Sequence, residues 1–313
     1  MANYYGERAL AALRQAGDVV RNNKPHSLEG EELINAAKDC DLIVSYRQSP
    51  APAGLFERLP RLVAFLRCAI DIRNIDVAAA SKAGVLVTQA SAGFITSVSE
   101  LVLGFLVDLS RGISRSTVHY RGNQVPKAHM GRELKGSTVG VIGYGAIGRE
   151  VVRLCQALGM RVLVNDPYQK VDQVTLDQLL RESDYVVPLA VATPETENLI
   201  GKDALAKMKH GACLINVSRG NLVDEAALEA ALDSGRLAGC AMDVGRAPDQ
   251  MPTPRIAARK DVIATTHTGG LTPQAIEHQS LETAAQAAEI VQGRAPKGAV
   301  NAEHWTRKAL LRK

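Results

Sequence analysis

Thr138-Val139-Gly140-Val141-Ile142-Gly143-Tyr144-Gly145-Ala146-Ile147-Gly148 decides how the rest of this 313-residue chain is read. A short apolar run ends in G-x-G-x-x-G and leads straight into a helix-forming segment at 147–158. Gly143 makes the tight turn, Gly145 lets the backbone approach a pyrophosphate, and Gly148 allows close packing of helix on strand. The unpaired N–H groups of the helix start, at Ala146 and Ile147, then face phosphate charge. Such a site also needs an acid at the end of the next strand. Asp166 stands there, 18 residues beyond Gly148. A carboxylate in that place accepts hydrogen bonds from the ribose hydroxyls and repels a 2′-phosphate, so the cofactor expected is NAD rather than NADP. The competing reading is a glycine turn in an empty α/β domain with Asp166 as a surface acid. A strand before, a helix after and the acid in place favour the dinucleotide site.

Working outward, short apolar runs recur at 41–46, 61–68, 84–88, 138–143, 161–166, 185–189, 212–217, 239–244 and 261–265. Most are continuous rather than alternating, as in parallel strands covered on both faces. Helical patterns at 147–158, 176–182, 225–234 and 273–293 lie between or after them. The alternation predicts an α/β protein with doubly wound parallel sheets. A long helix-like segment, 97–112, precedes a polar stretch at 120–135 before the fingerprint strand begins. This divides the chain into residues 1–98 with 289–313, and residues 99–288, the last helix returning to the first domain.

The composition excludes several classes. At 46% hydrophobic and 22% charged residues the chain is ordinarily globular, and 313 residues make about two domains. The formal charge is +4, but Arg307, Lys308, Arg312 and Lys313 fall in the last seven residues. Without them 33 basic residues meet 33 acidic ones. The basicity is a tail, read here as solvated, and not a nucleic-acid surface; one Trp and four Phe offer little for base stacking. Five cysteines (Cys40, Cys68, Cys155, Cys213 and Cys240) without a C-x-x-C pair suit a reducing compartment and no disulfide framework. No signal-peptide core or membrane-length apolar run is found. The reading is a soluble cytoplasmic protein. His26, His119, His129, His210, His278 and His304 show no metal-ligand spacing, so no metal is expected.

Two further residues follow strands of the fingerprint-bearing domain. Arg219 lies in Asn216-Val217-Ser218-Arg219-Gly220, and His267 in Thr265-Thr266-His267-Thr268-Gly269-Gly270. Reduction of a 2-oxo acid needs a fixed positive fork for carboxylate and carbonyl, and a proton donor titrating near neutrality. Arg and His meet those needs. A strand-end ion pair and a loop histidine are the plainer readings of each residue taken alone.

With these residues in place the chain resembles the D-isomer-specific 2-hydroxyacid dehydrogenases. Matching stretches run through Gly131-Arg132-Glu133-Leu134-Lys135-Gly136, the fingerprint, Thr193-Pro194-Glu195-Thr196, Asn216–Gly220, Leu222-Val223-Asp224, Ala241-Met242-Asp243-Val244 and His267. The resemblance implies two flavodoxin- and Rossmann-like domains with an active-site cleft between them, and a homodimer joined through the nucleotide domain. It implies that Arg219 binds a small-molecule 2-oxo or 2-hydroxy acid and that His267 is the acid/base. It also implies that Ala146, Ile147, Asp166, Thr196, Val217, Ser218, Arg219, Asp243 and His267 line the NAD site.

The sequence departs from the family at three places. The family's Glu, five positions after the Asp matched by Asp243, hydrogen-bonds the catalytic His; here that position is Pro248. An imidazolium without a carboxylate beside it is less favoured, so the pH limb for 2-oxo acid reduction should fall lower than in relatives that keep the Glu. Asp249 is the nearest carboxylate in sequence. The family's substrate-carboxylate loop corresponds to Ala69-Ile70-Asp71-Ile72-Arg73-Asn74-Ile75-Asp76, with Asp71 where Gly is usual. Asp71 either points away (the preferred reading), pairs with Arg73, or selects a substrate with a polar or cationic end. A sharper alternative sets it beside His267 in place of the Glu. Phe94 replaces a usual Asn and should make one pocket wall more apolar. The lead expectation is an NAD-dependent D-2-hydroxyacid dehydrogenase. The alternatives are an NAD(H)-responsive regulatory protein with weak or no turnover, and a reductase of an unusual ketone.

Overall fold

The computed structural model describes residues 6–128 and 130–311. His129, Arg312 and Lys313 therefore lie outside the described residues. The chain order is α1 (Gly6–Ala16), α2 (Gly30–Ala37), β1 (Leu42–Ser45), α3 (Ala53–Arg58), β2 (Ala64–Arg67), α4 (Val77–Ala83) and β3 (Leu86–Gln89). It continues with α5 (Ile95–Arg111), α6 (Ile113–Arg121), β4 (Thr138–Ile142), α7 (Ala146–Ala157), β5 (Arg161–Asn165), α8 (Leu176–Glu182) and β6 (Tyr185–Pro188). Then follow α9 (Lys202–Lys207), β7 (Ala212–Asn216), α10 (Glu225–Asp233), β8 (Leu237–Met242), α11 (Pro254–Ala257), β9 (Val262–Ala264) and α12 (Pro273–Val291). Every strand read from the sequence is present; most are trimmed at their ends, while β3 runs one residue further and β8 starts two residues earlier. None of the described helices is long and apolar enough to cross a membrane.

The chain folds as two compact units, Met1–Gly93 with Thr272–Lys313, and Phe94–Leu271. The junctions differ from those read in the sequence, 98/99 and 288/289. The first lies earlier because α5 is a single helix that packs on α7 and on β7 and β8 of the second unit. Its Val98, Val102, Phe105 and Leu106 are buried in that unit's core. The second lies earlier because α12 packs on α1 and β2, and the whole helix belongs to the first unit.

In the second unit six parallel strands run in the order β5-β4-β6-β7-β8-β9. The chain moves outward from β4 to β5, then restarts on the other side of β4 with β6. That reversal opens a crevice at the carboxyl ends of β4 and β6. One face of the sheet is covered by α5 and α7, with Val139, Val141, Val151 and Ile215 in the layer between. The other face carries α8, α9 and α10 over Ile142, Leu179, Leu214 and Leu228. Each such fully buried side chain stabilises the fold by about 1.5–3 kcal/mol. Caps define the helix starts: the Asp224 carboxylate accepts from the N–H groups of Ala226 and Ala227, and the Thr175 hydroxyl from Gln178 N–H.

The first unit has a parallel sheet, β1-β2-β3, among the described residues. Phe56, Phe65 and Val87 fill one face under α2, α3 and α4. Leu66, Leu86, Ala287, Ile290 and Trp305 fill the other, with α1 and α12. The basic tail is not wholly solvated as expected. Arg307 donates to the carbonyls of Leu59 (2.6 Å), Leu62 (2.9 Å) and Phe56 (3.3 Å), and burial pulls its pKa down. Those carbonyls end α3 and the turn after it, where a fixed cation is favoured.

Candidate active site

The fingerprint turn sits at the crevice of the six-stranded sheet. Gly143 holds φ +102°, and a Cβ there would lie 2.7 Å from the backbone of Leu189 and Ala190 at the end of β6. A Cβ on Gly148 would lie 2.2 Å from the Gly143 carbonyl oxygen, so α7 can approach β4 only without one. Gly145 is different: its Cβ would meet nothing within 4 Å, and Gly145 and Ala146 are exposed. Open space therefore lies in front of the first turn of α7, whose N–H groups have no intrahelical acceptors. That arrangement fits a pyrophosphate, and the residues present fit NAD.

Asp166 comes to the same turn from the end of β5. Its Oδ2 accepts from Tyr144 N–H (2.6 Å) and its Oδ1 from Tyr168 N–H (2.9 Å). The acid is thus aimed at the fingerprint by two backbone donors, and each oxygen retains a lone pair for a ribose hydroxyl.

The segment after β6 joins the turn to the substrate-side residues. Ser218 Oγ donates to the Ala190 carbonyl (3.1 Å), and Thr196 Oγ1 donates to that of Val191 (2.7 Å) while accepting from Thr193 N–H (2.8 Å). Val217 buries its side chain in the sheet core. Arg219 follows β7 on a turn organised by Asn216, a fully buried residue to which the sequence alone assigns no role. Asn216 Oδ1 accepts from Ser218 N–H (3.1 Å) and its Nδ2 donates to the Arg219 carbonyl (2.9 Å). The local signal was an Asn that ends a buried strand and can close an Asx turn. Arg219 Nη1 donates to the Ser218 carbonyl (2.7 Å).

Arg219 and His267 are linked through the loop between them. A Cβ on Gly220 would lie 2.1 Å from the Gly245 carbonyl oxygen, so the loop after β7 presses directly on the loop after β8. That second loop carries Pro248 and Asp249, and the Asp249 carbonyl lies 2.7 Å from His267 Nδ1. The contact falls where the sequence had pointed to a missing carboxylate, and it is made by main chain. The carboxylates the sequence offers for that place are those of Asp249 and Asp71.

Asp243 is buried at 1% exposure. Its Oδ1 accepts from Thr265 Oγ1 (2.6 Å), Thr268 N–H (2.8 Å) and Thr268 Oγ1 (3.3 Å), and its Oδ2 from Gly269 N–H (2.8 Å). Its carboxylate faces inward and ties down the loop that carries His267. Phe94, expected as a pocket wall, caps the start of α5 and packs partly buried against the core of the second unit.

In the first unit, Ala69 is buried and Ile70 is exposed. Asp71 does not simply point away. It pairs with Arg73 through Nε (2.9 Å) and Nη2 (2.6 Å) and accepts the Arg73 N–H as well (3.1 Å). An i,i+2 acid–base pair on a short turn leaves little net charge at that loop. Among the described residues no group of three or more His, Cys, Asp and Glu is placed to hold a metal ion.

Comparison with known proteins accords with this geometry. Residues 103–269 match the model of the D-isomer-specific 2-hydroxyacid dehydrogenase NAD-binding domain. A D-3-phosphoglycerate dehydrogenase of Methanocaldococcus jannaschii is 31% identical over 94% of the chain and 57% of that protein. A hydroxypyruvate reductase of Thermotoga maritima is 33% identical over 82% of the chain and 86% of that protein. The chain thus spans little more than half the length of the first relative. The apo-structure of D-lactate dehydrogenase from Escherichia coli superposes with a TM-score of 0.83 at 25% identity, covering 95% of this chain and 98% of that one. The chain belongs to the D-isomer-specific 2-hydroxyacid dehydrogenases, and its second unit holds their NAD-binding domain.

Proposed function

We propose that this chain is a cytoplasmic NAD-dependent D-2-hydroxyacid dehydrogenase. The observation that carries the reading is the placement of Arg219 and an oriented His267 beyond the carboxyl ends of β7 and β9, in the sheet whose β4 turn fits NAD. NAD, when bound, supplies or removes the hydride at C2 of the substrate. Arg219 offers a planar guanidinium whose paired N–H groups hold the substrate carboxylate and polarise the C2 carbonyl. His267 gives a proton to the C2 oxygen during reduction and takes it back during oxidation. Asn216 fixes the turn under Arg219, and Asp243 fixes the loop under His267. Asp166 selects NAD by taking the ribose hydroxyls. Thr196, Val217 and Ser218 line the same cofactor site, Val217 through its backbone.

Ala69, Ile70 and Asp71 form the proposed carboxylate loop of the substrate-binding unit. The relatives' names point to three-carbon 2-oxo acids, hydroxypyruvate among them. A homodimer is proposed through the second unit, supported by exposed Ile113, Val118, Tyr120, Val125 and Met130 in and just after α6.

NADH oxidation against glyoxylate, pyruvate, hydroxypyruvate and bulkier apolar 2-oxo acids, from pH 5 to 9, tests the reading. Turnover should appear with at least one acid and fall about a hundredfold or more in Arg219→Ala. NADH binding without turnover across the panel would favour a regulatory, NAD(H)-responsive protein instead.

A further inference from the structure

We propose that the backbone carbonyl of Asp249 is a positioning group for His267: it holds the imidazole as the Nδ1–H tautomer and leaves Nε2 as the nitrogen that exchanges the proton. The inference deepens the acid/base assignment of His267 and rests on it, but the hydrogen bond itself does not.

The motivating observation is where the chain is strained. Among the described residues, five that are not glycine have a left-handed φ: Asn123 (53°), Asn198 (54°), Asp249 (56°), Gln250 (57°) and His267 (55°). Two of the five, Asp249 and His267, are the partners in one hydrogen bond, and a third, Gln250, adjoins it. Crowding between Cβ and the carbonyl disfavours this region for any L-residue. Asn, Asp and His enter it several-fold more readily than most, whereas Gln has no such tendency. Two such residues in succession, Asp249 and Gln250, persist only where their surroundings over-determine them.

The surroundings do so. Gly245 N–H donates to the Gln250 carbonyl (2.7 Å), Ala247 N–H to that of Met251 (3.0 Å), and Met251 N–H to that of Pro248 (3.3 Å). These bonds close the loop on itself with Pro248 fixing φ just before the left-handed pair. The closure directs the Asp249 carbonyl outward, to Nδ1 of His267 at 2.7 Å. From the other side, Asp243 pins Thr265, Thr268 and Gly269 around the histidine. Both holds, on the ring and on the loop that carries it, come from the segment that follows β8.

A carbonyl oxygen only accepts, so Nδ1 must carry the proton. In the neutral ring Nε2 is then the unprotonated nitrogen, an acceptor, and when charged it is a donor. Free histidine in water prefers the opposite neutral tautomer, so the tautomer reports directly on this contact. Because the acting group is main chain, residue 249 matters here through its tolerance of left-handed φ.

The test is two-bond 1H–15N spectroscopy of the full chain labelled at histidine nitrogen, above the pH at which the ring is neutral. His267→Gln identifies the resonances by deleting them. The Nδ1–H pattern should appear in the unmodified protein and persist in Asp249→Gly, since glycine accepts positive φ without penalty. In Asp249→Val, whose β-branched side chain resists that conformation, the pattern should shift toward Nε2–H. In the same variant kcat for the preferred 2-oxo acid should drop about tenfold or more with little change in KM. An Nε2–H pattern in the unmodified protein overturns the proposal, and needs no variant to fold. An unchanged pattern in Asp249→Val overturns it as well. The Nδ1–H pattern without 2-oxo acid turnover supports the hydrogen bond and counts against the dehydrogenase reading, so the two fail separately.

Discussion

Asp243 is the residue on which most of the proposed chemistry is mounted, although it faces inward. Its carboxylate gathers two backbone N–H groups and two hydroxyls from residues 22–26 positions further along the chain. Asp243→Asn keeps the shape but puts an amide donor against at least one of those donors, which leaves a buried group unsatisfied. The expected cost is about 1–3 kcal/mol, read as a lower denaturation midpoint in urea, together with a fall in kcat from a loosened His267 loop. A variant as stable and as active as the parent would mean that the loop holds itself. At this scale the sequence was partly legible. Gly143, Asp166, Arg219 and His267 stand out as candidates because each proposed chemistry needs that residue type at that spacing. The partners of Asp243 and the carbonyl of Asp249 did not, because a hydrogen bond across 18 or more positions leaves no local pattern.

At the scale of the element, the fingerprint separates two roles that both fall to glycine. Gly148→Ala forces a Cβ to within 2.2 Å of a backbone oxygen, so α7 must move off β4 and both stability and NADH affinity should fall. Gly145→Ala places its Cβ in open space. The melting temperature should hold within about 2 °C, a few tenths of a kcal/mol, while NADH binding, followed by fluorescence titration, weakens about tenfold or more as the methyl fills the phosphate approach. Equal effects on both quantities in both variants would remove the assignment of the turn. The central strands were the most legible, because β2, β4, β6 and β7 are buried on both faces and read as continuous apolar runs. The helix α6 was not: none of its residues is buried, so no apolar stripe marks it. The start of α12 was legible from Thr272-Pro273, a cap followed by proline, with the Thr272 hydroxyl accepting from Ala275 N–H.

At the scale of the molecule, the two units differ in how the chain builds them. The second is one continuous stretch, Phe94–Leu271, and carries the whole six-stranded sheet. Expressed alone it should fold and bind NADH with cooperative unfolding, and it should show no 2-oxo acid reduction. Residues 1–93 alone should not fold. A molten 94–271 fragment, by near-ultraviolet circular dichroism, would count against the separation. Two units are legible in the sequence, while the compact units of the structure divide 5 residues earlier at one junction and 17 earlier at the other than the sequence boundaries. Helices packed across a sequence boundary leave no composition shift to mark them.

The last turns of the first unit carry a consequence for how the protein is made. Asn301 accepts from Val87 N–H and donates to the Val85 carbonyl, and Trp305 Nε1 donates to that of Val63. The opening stretch of the chain therefore waits for its own closing stretch. Some 178 residues separate the two, roughly ten to forty seconds of translation. During that interval the nucleotide unit can be finished on the ribosome, while Leu66 and Leu86 have not yet met Ala287, Ile290 and Trp305. A nascent chain stalled before residue 300 would present a sound nucleotide unit beside an apolar sheet face open to chaperones, proteases and other nascent chains.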